Sequence, residues 1–280
     1  TWDQMEELCA KIKKIDPNSV PLGYDSEANW FITMTEQLKT PYTSAGTDHY
    51  LWDTAENKAF ITRFTEWYTK GYLTNQKLYG GYTSGLFVNQ EADKDGKIIR
   101  SYMSIGSSAG ATHQAPDKTD AGTYPFETGI APIPQIDAEN NPKVVSQGPS
   151  LCLFDQKDDA VEAAAWQFVK FLLTSADFQA EFSMASGYVP VLESVLENSA
   201  YQTFLADANG YDEGISAYSA KVCMDQKDYY YTSPAFVGSS TARDQVGQLL
   251  IACLAEKENL PGKIDKLFAD SIQTCKTLNP

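Results

Sequence analysis

A glycine- and serine-rich turn, Gly106-Ser107-Ser108-Ala109-Gly110, follows a short apolar segment and is the sharpest chemical pattern in the chain. Its spacing matches G-x-S-x-G, in which a tight strand-to-helix turn exposes a nucleophilic serine, here Ser108. A serine esterase of this kind also needs an acid and then a histidine further along the chain. Of the 2 histidines, His49 precedes Ser108 and His113 follows it too closely to return from another loop. The esterase therefore stays a remote alternative.

The same turn has two other interpretations. Small residues let a ligand approach the backbone, and the hydroxyls of Ser107 and Ser108, with consecutive N–H groups, can donate to an oxyanion. A plain turn with no ligand is the simpler alternative. We take Ser107 and Ser108 as candidate ligand-binding residues and predict no catalytic residue.

Arg243 carries a second signal. It follows Ser239-Ser240-Thr241 within the first turn of a strongly periodic helix, where a cation opposes the helix dipole by roughly 0.3–1 kcal/mol. Such a placement occurs where an anion is bound between helix N–H groups and an arginine. The alternative is an ion pair with one of the 37 acidic residues.

Aromatic residues make up 12% of the chain. Trp30 and Tyr188 lie near a helix start and a turn instead of in an apolar stripe, and such rings are natural platforms for sugar or polyol faces. Half-buried packing is the alternative for either ring. Trp67 and Trp166 fall within helix patterns, and we expect Trp67 in the core and Trp166 on a helix surface.

The overall composition limits the classes of partner. The net charge of −15 argues against nucleic acid and anionic membranes, because both need a basic face on the protein. The 5 cysteines are widely spaced, so no zinc pattern is present and buried free thiols are expected. Asp93-Lys94-Asp95-Gly96 resembles part of a calcium loop, but Tyr102 stands where the closing carboxylate is needed. We predict no metal and no cofactor.

The elements that must position these residues are mostly helices. Apolar periodicity predicts helices at 1–15, 29–39, 56–70, 158–173, 175–185, 241–256 and 261–277. Thr1 and Gln4 have the spacing of a capping box. Short strands are predicted at 102–105, 129–134 and 150–154, so the fold class is mixed α/β. No apolar run is long enough to span a membrane.

Five segments, in order, resemble family 1 extracellular solute-binding proteins, and together they cover nearly the whole chain. They are Thr1–Leu8 (a "TWxE" helix), Gly129–Pro134 ("GxxPxP"), Gln147–Leu151, Ala164–Leu172 ("AAxxFxKFL") and Ser186–Pro190 ("GYxP"). The resemblance implies a type II periplasmic-binding-protein-like fold, with a ligand cleft between two lobes.

The resemblance also implies a division of the chain. In the family the "TWxE" helix follows a leader and most of the first lobe, so we interpret the chain as a fragment, mostly the helix-rich C-lobe. Residues 1–147 and 192–280 are then two parts of the C-lobe, and 148–191 cross to the N-lobe. We expect the apolar surface of 150–190 to promote self-association of such a fragment.

Within the family, the chain is most similar to members that bind glycerol-3-phosphate. By position, the resemblance implies that Trp30, Ser107, Gly148, Tyr188 and Arg243 contact the ligand. The implied role is capture of a phosphorylated polyol, such as glycerol-3-phosphate or a glycerophosphodiester, for the permease subunits of an ABC importer, and not catalysis. The implied location is the periplasm or, as a lipoprotein, the outer face of the cell membrane. Residues 80–101 and 113–125 depart from that pattern, so we expect a different cleft rim. Many members of the family bind oligosaccharides, so a neutral sugar or oligosaccharide is the alternative ligand.

Overall fold

The computed structural model describes residues 1–88, 99–155, 157–212 and 214–279. The calcium-like pattern at Asp93–Gly96 lies outside these residues. The chain divides into two compact units, each described by itself. Unit 1 comprises residues 1–106, 133–146 and 229–280, and unit 2 comprises 107–132 and 147–228. Residues 107–132 and 192–228 thus group with 147–191, whereas we predicted that 1–147 and 192–280 are parts of one lobe. Which lobe each unit represents stays a prediction.

The first part of unit 1 alternates helices with very short strands. Its elements, in order, are α1 (Trp2–Ile15), β1 (Leu22–Tyr24), α2 (Glu27–Gln37), α3 (Ala55–Thr69), β2 (Leu73–Thr74), α4 (Gln76–Tyr79), α5 (Ser84–Val88) and β3 (Met103–Ile105). The predicted capping box begins α1: the N–H of Gln4 donates to the hydroxyl of Thr1 at 3.3 Å, and the amino group of Thr1 donates to the Gln4 side chain at 2.8 Å. The strands form a parallel sheet in the order β2-β1-β3.

The rest of the chain adds two short strands and six longer helices to the described part. These are β4 (Val144–Val145), α6 (Asp159–Thr174), α7 (Ala176–Ser186), α8 (Ser199–Ala206), α9 (Gly214–Asp225), β5 (Tyr230–Tyr231), α10 (Ser239–Glu256) and α11 (Ile264–Leu278). Strands β4 and β5 pair in parallel. In unit 1, α10 packs against α2, α3 and α11.

The core of unit 1 is rich in aromatic rings. Trp2, Trp30, Phe64 and Trp67 are all buried, and the Trp2 and Phe64 rings meet edge to face with centroids 5.3 Å apart. Such pairs add about 0.5–1.5 kcal/mol beyond the area they bury. The prediction that Trp67 lies in the core is confirmed.

Unit 2 is helical and has a smaller core. Its buried cluster consists of Ala180 of α7, Val195 of the segment between α7 and α8, and Tyr201 of α8. Helix α9 packs against α8 and against a 3₁₀ helix at Ser108–Gln114. Helix α6 has no buried residue, and 50% of Trp166 is exposed, as expected for a helix-surface ring.

Two strand predictions are wrong. Residues 129–134 and 150–154 have no strand structure. Pro132 and Pro134 lack the N–H group that a strand donates to its neighbour, which limits pairing in the first segment. The second segment is exposed along its whole length, so its apolar pattern did not indicate a buried strand.

The prediction of buried thiols is confirmed for Cys9, Cys253 and Cys275, which are free and buried. It is wrong for Cys152, which is exposed, and Cys223 is half-buried. Within the described part of the chain, no helix is long and apolar enough to cross a bilayer. The same residues include no cluster of three or more metal-ligating side chains.

Candidate functional site

The carboxyl edge of the parallel sheet in unit 1 is built around Asp25, which directly follows β1. The backbone N–H of Asp25 donates to the carbonyl of Ile105 at the end of β3, at 2.9 Å. Its carboxylate oxygens accept the N–H of Thr83 at 3.1 and 3.3 Å. Burial raises the pKa of Asp25, although the hydrogen bonds from Thr83 act in the opposite direction. Ligands of open parallel sheets bind at this edge, and Asp25 holds its loops together.

Helix α2 begins at the same edge. Ser26, its N-cap, has a φ of +63°, and its side chain makes no capping hydrogen bond. A Cβ added to Gly247 of α10 would lie 3.3 Å from the backbone nitrogen of Ala28 and 3.1 Å from Cγ of Glu27. Glycine at this position therefore allows α10 to approach the start of α2 closely.

Arg243 lies one helical turn before Gly247, on the same side of α10. Its Nη2 donates to the side-chain oxygen of Asn29, in the first turn of α2. Both residues are half-buried. In the described part of the chain no carboxylate pairs with Arg243, whereas Arg63 pairs with Asp3 at 2.7 Å. Among the described residues, the ion pair that we gave as the alternative is therefore absent, and the side-chain partner of Arg243 is a neutral amide.

Trp30 lies in the core of unit 1 and not at a surface. Its exposed fraction is 0%. One face stacks on Tyr24, with centroids 4.7 Å apart, and Phe64 meets it edge to face at 4.8 Å. Both neighbouring rings belong to the core, so no face of Trp30 is open to a ligand. The prediction that Trp30 stacks on a ligand is therefore wrong for this structure. The first turn of α2, Glu27–Asn29, is partly exposed, whereas residues 30–35 are buried.

The predicted residues of unit 2 meet around Gly187. Gly187 ends α7 with a φ of +72°, and a Cβ added there would lie 2.9 Å from the carbonyl oxygen of Ser108. The start of the Gly-Tyr-Val-Pro segment thus packs against the Ser107-Ser108 turn. Tyr188 is 37% exposed and stacks on Phe182 at 6.4 Å.

Ser107 is the N-cap of the 3₁₀ helix, and its hydroxyl accepts the N–H of Ala109 at 3.3 Å. Ser108 is the first residue of this 3₁₀ helix, whereas the serine of a nucleophile elbow precedes an α-helix. Within the described residues, no hydrogen bond joins Ser108 to a histidine. Gly148 is exposed in an irregular segment, with no atom within 4 Å of an added Cβ. The structure thus brings Ser107, Ser108 and Tyr188 together and leaves Gly148 apart from them.

Sequence reasoning missed Asn29, Asp25 and Gly187. Asp25 and Gly187 carried weak signals: a carboxylate after an apolar triplet, and a glycine after a periodic helix. Asn29 gave no signal, because its partner lies 214 residues away in the chain.

The family match defines the class of protein. Residues 1–208 match the family described as bacterial extracellular solute-binding proteins, so the chain belongs to that family. No curated protein sequence matches the chain.

Two solved structures share the fold. The chain is similar to UgpB from Mycobacterium tuberculosis in complex with glycerophosphocholine, at 17% identity and a TM-score of 0.70, over 99% of this chain and 62% of that one. It is also similar to the cyclic alpha-maltosyl-1,6-maltose binding protein from Arthrobacter globiformis, at 20% identity and a TM-score of 0.66, over 99% and 63%. The chain thus spans less than two thirds of either protein. The mixed, helix-rich α/β fold is that of solute-binding proteins.

Proposed function

We propose that this chain is part of the extracytoplasmic solute-binding component of an ABC importer, and that its ligand is a phosphorylated polyol such as glycerol-3-phosphate or a glycerophosphodiester. The ligand is captured and delivered to permease subunits with no bond made or broken. Its working location is the periplasm or, as a lipoprotein, the outer face of the cell membrane. Family membership supports the transport role.

The observation that carries the choice of ligand is Arg243. Within the described residues, the half-buried guanidinium of Arg243 has no carboxylate partner, so its charge is available to an anionic ligand. It lies beside the first turn of α2, whose N–H groups have no side-chain cap and carry the positive end of the helix dipole. A phosphate group matches both donors, because guanidinium binds it bidentately and helix N–H groups bind it directly.

Unit 2 supplies a second, independent set of proposed contacts. The hydroxyls of Ser107 and Ser108 are donors for phosphate or polyol oxygens, and the exposed ring of Tyr188 offers an apolar face to a carbon skeleton. Gly148 is proposed as a backbone contact, since no described atom lies within 4 Å of a Cβ added there.

Calorimetric titration of the complete natural chain tests the proposal, with glycerol-3-phosphate, glycerophosphocholine and maltotriose as ligands. We expect binding of the phosphorylated ligands and a loss of about 2–5 kcal/mol of binding free energy in Arg243→Ala. Arg63→Ala is the matched control, because it removes the same side chain from an ion pair elsewhere in unit 1. Unchanged affinity in Arg243→Ala would rule out the phosphate site.

A neutral oligosaccharide is the second candidate ligand. The exposed ring of Tyr188, stacked on Phe182, is suited to the face of a sugar, and one structural neighbour is named for binding a maltosyl sugar. Binding of maltotriose alone, with the phosphorylated ligands inert, would select this candidate and leave Arg243 without a ligand role.

A further inference from the structure

We propose that Asn29 determines the selectivity of the Arg243 site for anions, a role that rests on the proposed function. Asn29 accepts the hydrogen bond from Nη2 of Arg243 with a neutral amide oxygen. It therefore fixes the direction of the guanidinium without cancelling its charge. Asn29 is a positioning residue and need not touch the ligand.

The other arginines show the opposite arrangement. Arg63 donates to the carboxylates of Asp3 at 2.7 Å and Glu6 at 3.1 Å. Arg100 lies 3.8 Å from a carboxylate oxygen of Asp16. These pairs leave little positive potential for a ligand. At Arg243 an amide occupies the position that a carboxylate takes elsewhere, so the guanidinium retains its charge and its remaining N–H donors.

Two carboxylates lie close to Arg243 or Asn29 in the sequence. Glu27 in the first turn of α2 and Asp244 beside Arg243 are the nearest carboxylates in sequence, and neither forms an ion pair with the guanidinium in the described structure. The difference between Asn29 and an aspartate of the same shape is therefore one full charge at hydrogen-bond distance. A neutral residue at position 29 leaves the site attractive to an anionic ligand, whereas a carboxylate there would repel it.

Asn29→Asp and Asn29→Ala separate this role from a structural one. Aspartate keeps the shape and forms a stronger, charge-assisted bond to Arg243, so the free energy of unfolding is expected to stay the same or rise. Affinity for glycerol-3-phosphate is expected to fall about 10-fold or more, because the introduced carboxylate neutralises the arginine and repels the phosphate. Asn29→Ala removes only the orienting bond, so it is expected to lose less affinity than Asn29→Asp.

The experiment measures the affinity for glycerol-3-phosphate, by calorimetry, and the stability in urea of the complete natural chain and its variants. Asn18→Asp adds the same charge at an exposed turn and is expected to bind like the wild type. Affinity retained in Asn29→Asp, or lost more severely in Asn29→Ala than in Asn29→Asp, would overturn the inference. If the wild type does not bind glycerol-3-phosphate, the proposed ligand fails first, and the inference fails with it.

Discussion

The side chain of Gln37, at the end of α2, accepts the indole N–H of Trp2 of α1 at 3.0 Å. The same Gln37 oxygen accepts the backbone N–H of Ile136 at 3.1 Å, and its amide nitrogen donates to the carbonyls of Pro134 and Lys143, each at 3.0 Å. Only 3% of Gln37 is exposed. One buried amide thus joins α1 and α2 to residues 133–146, the segment that returns to unit 1 after the first part of unit 2.

Gln37→Met is expected to lower the free energy of unfolding by about 2–4 kcal/mol, because it leaves the buried Trp2 N–H and the half-buried carbonyl of Pro134 without partners. Urea unfolding monitored by tryptophan fluorescence measures the loss. Gln248→Met on the exposed face of α10 is the matched control and is expected to change the free energy little. Equal values for the two variants would show that the Gln37 network contributes no net stability.

Gly187→Ala is expected to lower the free energy of unfolding by more than the strain of its backbone conformation alone. A residue with a side chain at φ +72° is strained, and the new Cβ would also contact the Ser108 carbonyl at 2.9 Å. We expect a loss of about 1–3 kcal/mol in the free energy of unfolding. Gly122→Ala is the control, since Gly122 also lies in unit 2, has a φ of +75° and has nothing within 4 Å of an added Cβ.

The difference between the two alanine variants measures the contact between Gly187 and the Ser108 turn. If both variants lose the same free energy of unfolding in urea, the contact of the new Cβ with Ser108 does not destabilise the protein. The loss then comes from the backbone conformation alone.

The sequence predicts those parts of the fold that have a local cause. The apolar periodicity of α3, α6, α10 and α11 locates these helices to within a few residues, and Thr1 with Gln4 begins α1 as the capping box requires. The sheet is different. Strand β1 has three residues, too few to show alternation, and exists because Leu22 pairs with Leu73 and Met103. Such pairing is not visible in a local pattern.

The candidate sites follow the same rule. Arg243 is predictable because a cation in a first helical turn breaks a local preference. Its partner Asn29 is not, because the contact depends on the packing of α10 on α2. Trp30 was predicted at a surface because it follows a turn. It is buried because its position in α2 directs it toward Tyr24 and Phe64.

The thiols are expected to differ sharply in reactivity. Cys152 is exposed, whereas burial raises the pKa of Cys9 to about 12 and that of Cys275 to about 11. Only a thiolate attacks a disulfide reagent, so Cys152 should react first in the folded 280-residue chain and the buried thiols only after unfolding. An aromatic disulfide reagent, followed by absorbance with and without urea, measures both phases.

Cys152→Ser is expected to remove the fast phase and leave the thiols that urea releases unchanged. A fast phase that persists in this variant would show that another cysteine, such as the half-buried Cys223, reacts in the folded chain, and would contradict the prediction.

Glu36 is expected to make stability depend on pH in the acidic range. Burial raises the pKa of Glu36 above the ordinary 4.5, although Tyr231 and Lys143 act in the opposite direction. The folded state therefore holds this proton more tightly than the unfolded state. The stability that protonated Glu36 contributes is fully present below pH 4.5 and is lost as the pH rises through the raised pKa.

Glu36→Gln removes this ionisation. Its free energy of unfolding relative to the wild type should increase as the pH rises from about 4 to 7. The exposed Glu139→Gln is the control and should show a smaller change. A relative stability of Glu36→Gln that falls over this range would show that the ionised carboxylate is the stabilising form.

The exposed apolar residues of α6 are expected to drive self-association of the 280-residue chain. Val161, Phe168 and Phe171 share one side of α6 and are 49%, 63% and 51% exposed, and a contiguous apolar surface of this kind favours association. Sedimentation velocity should therefore detect species larger than the 30.9 kDa monomer, in a proportion that rises with protein concentration.

Phe168→Glu places a charge in this surface without disturbing a buried contact, so it is expected to shift the chain toward monomer at unchanged stability in urea. Val237→Glu is the control, since Val237 is 88% exposed in unit 1 and lies outside the α6 surface. Equal dissociation in both variants would assign the effect to net charge alone. A wild-type chain that is monomeric at every concentration would show that the α6 surface does not associate with a second copy.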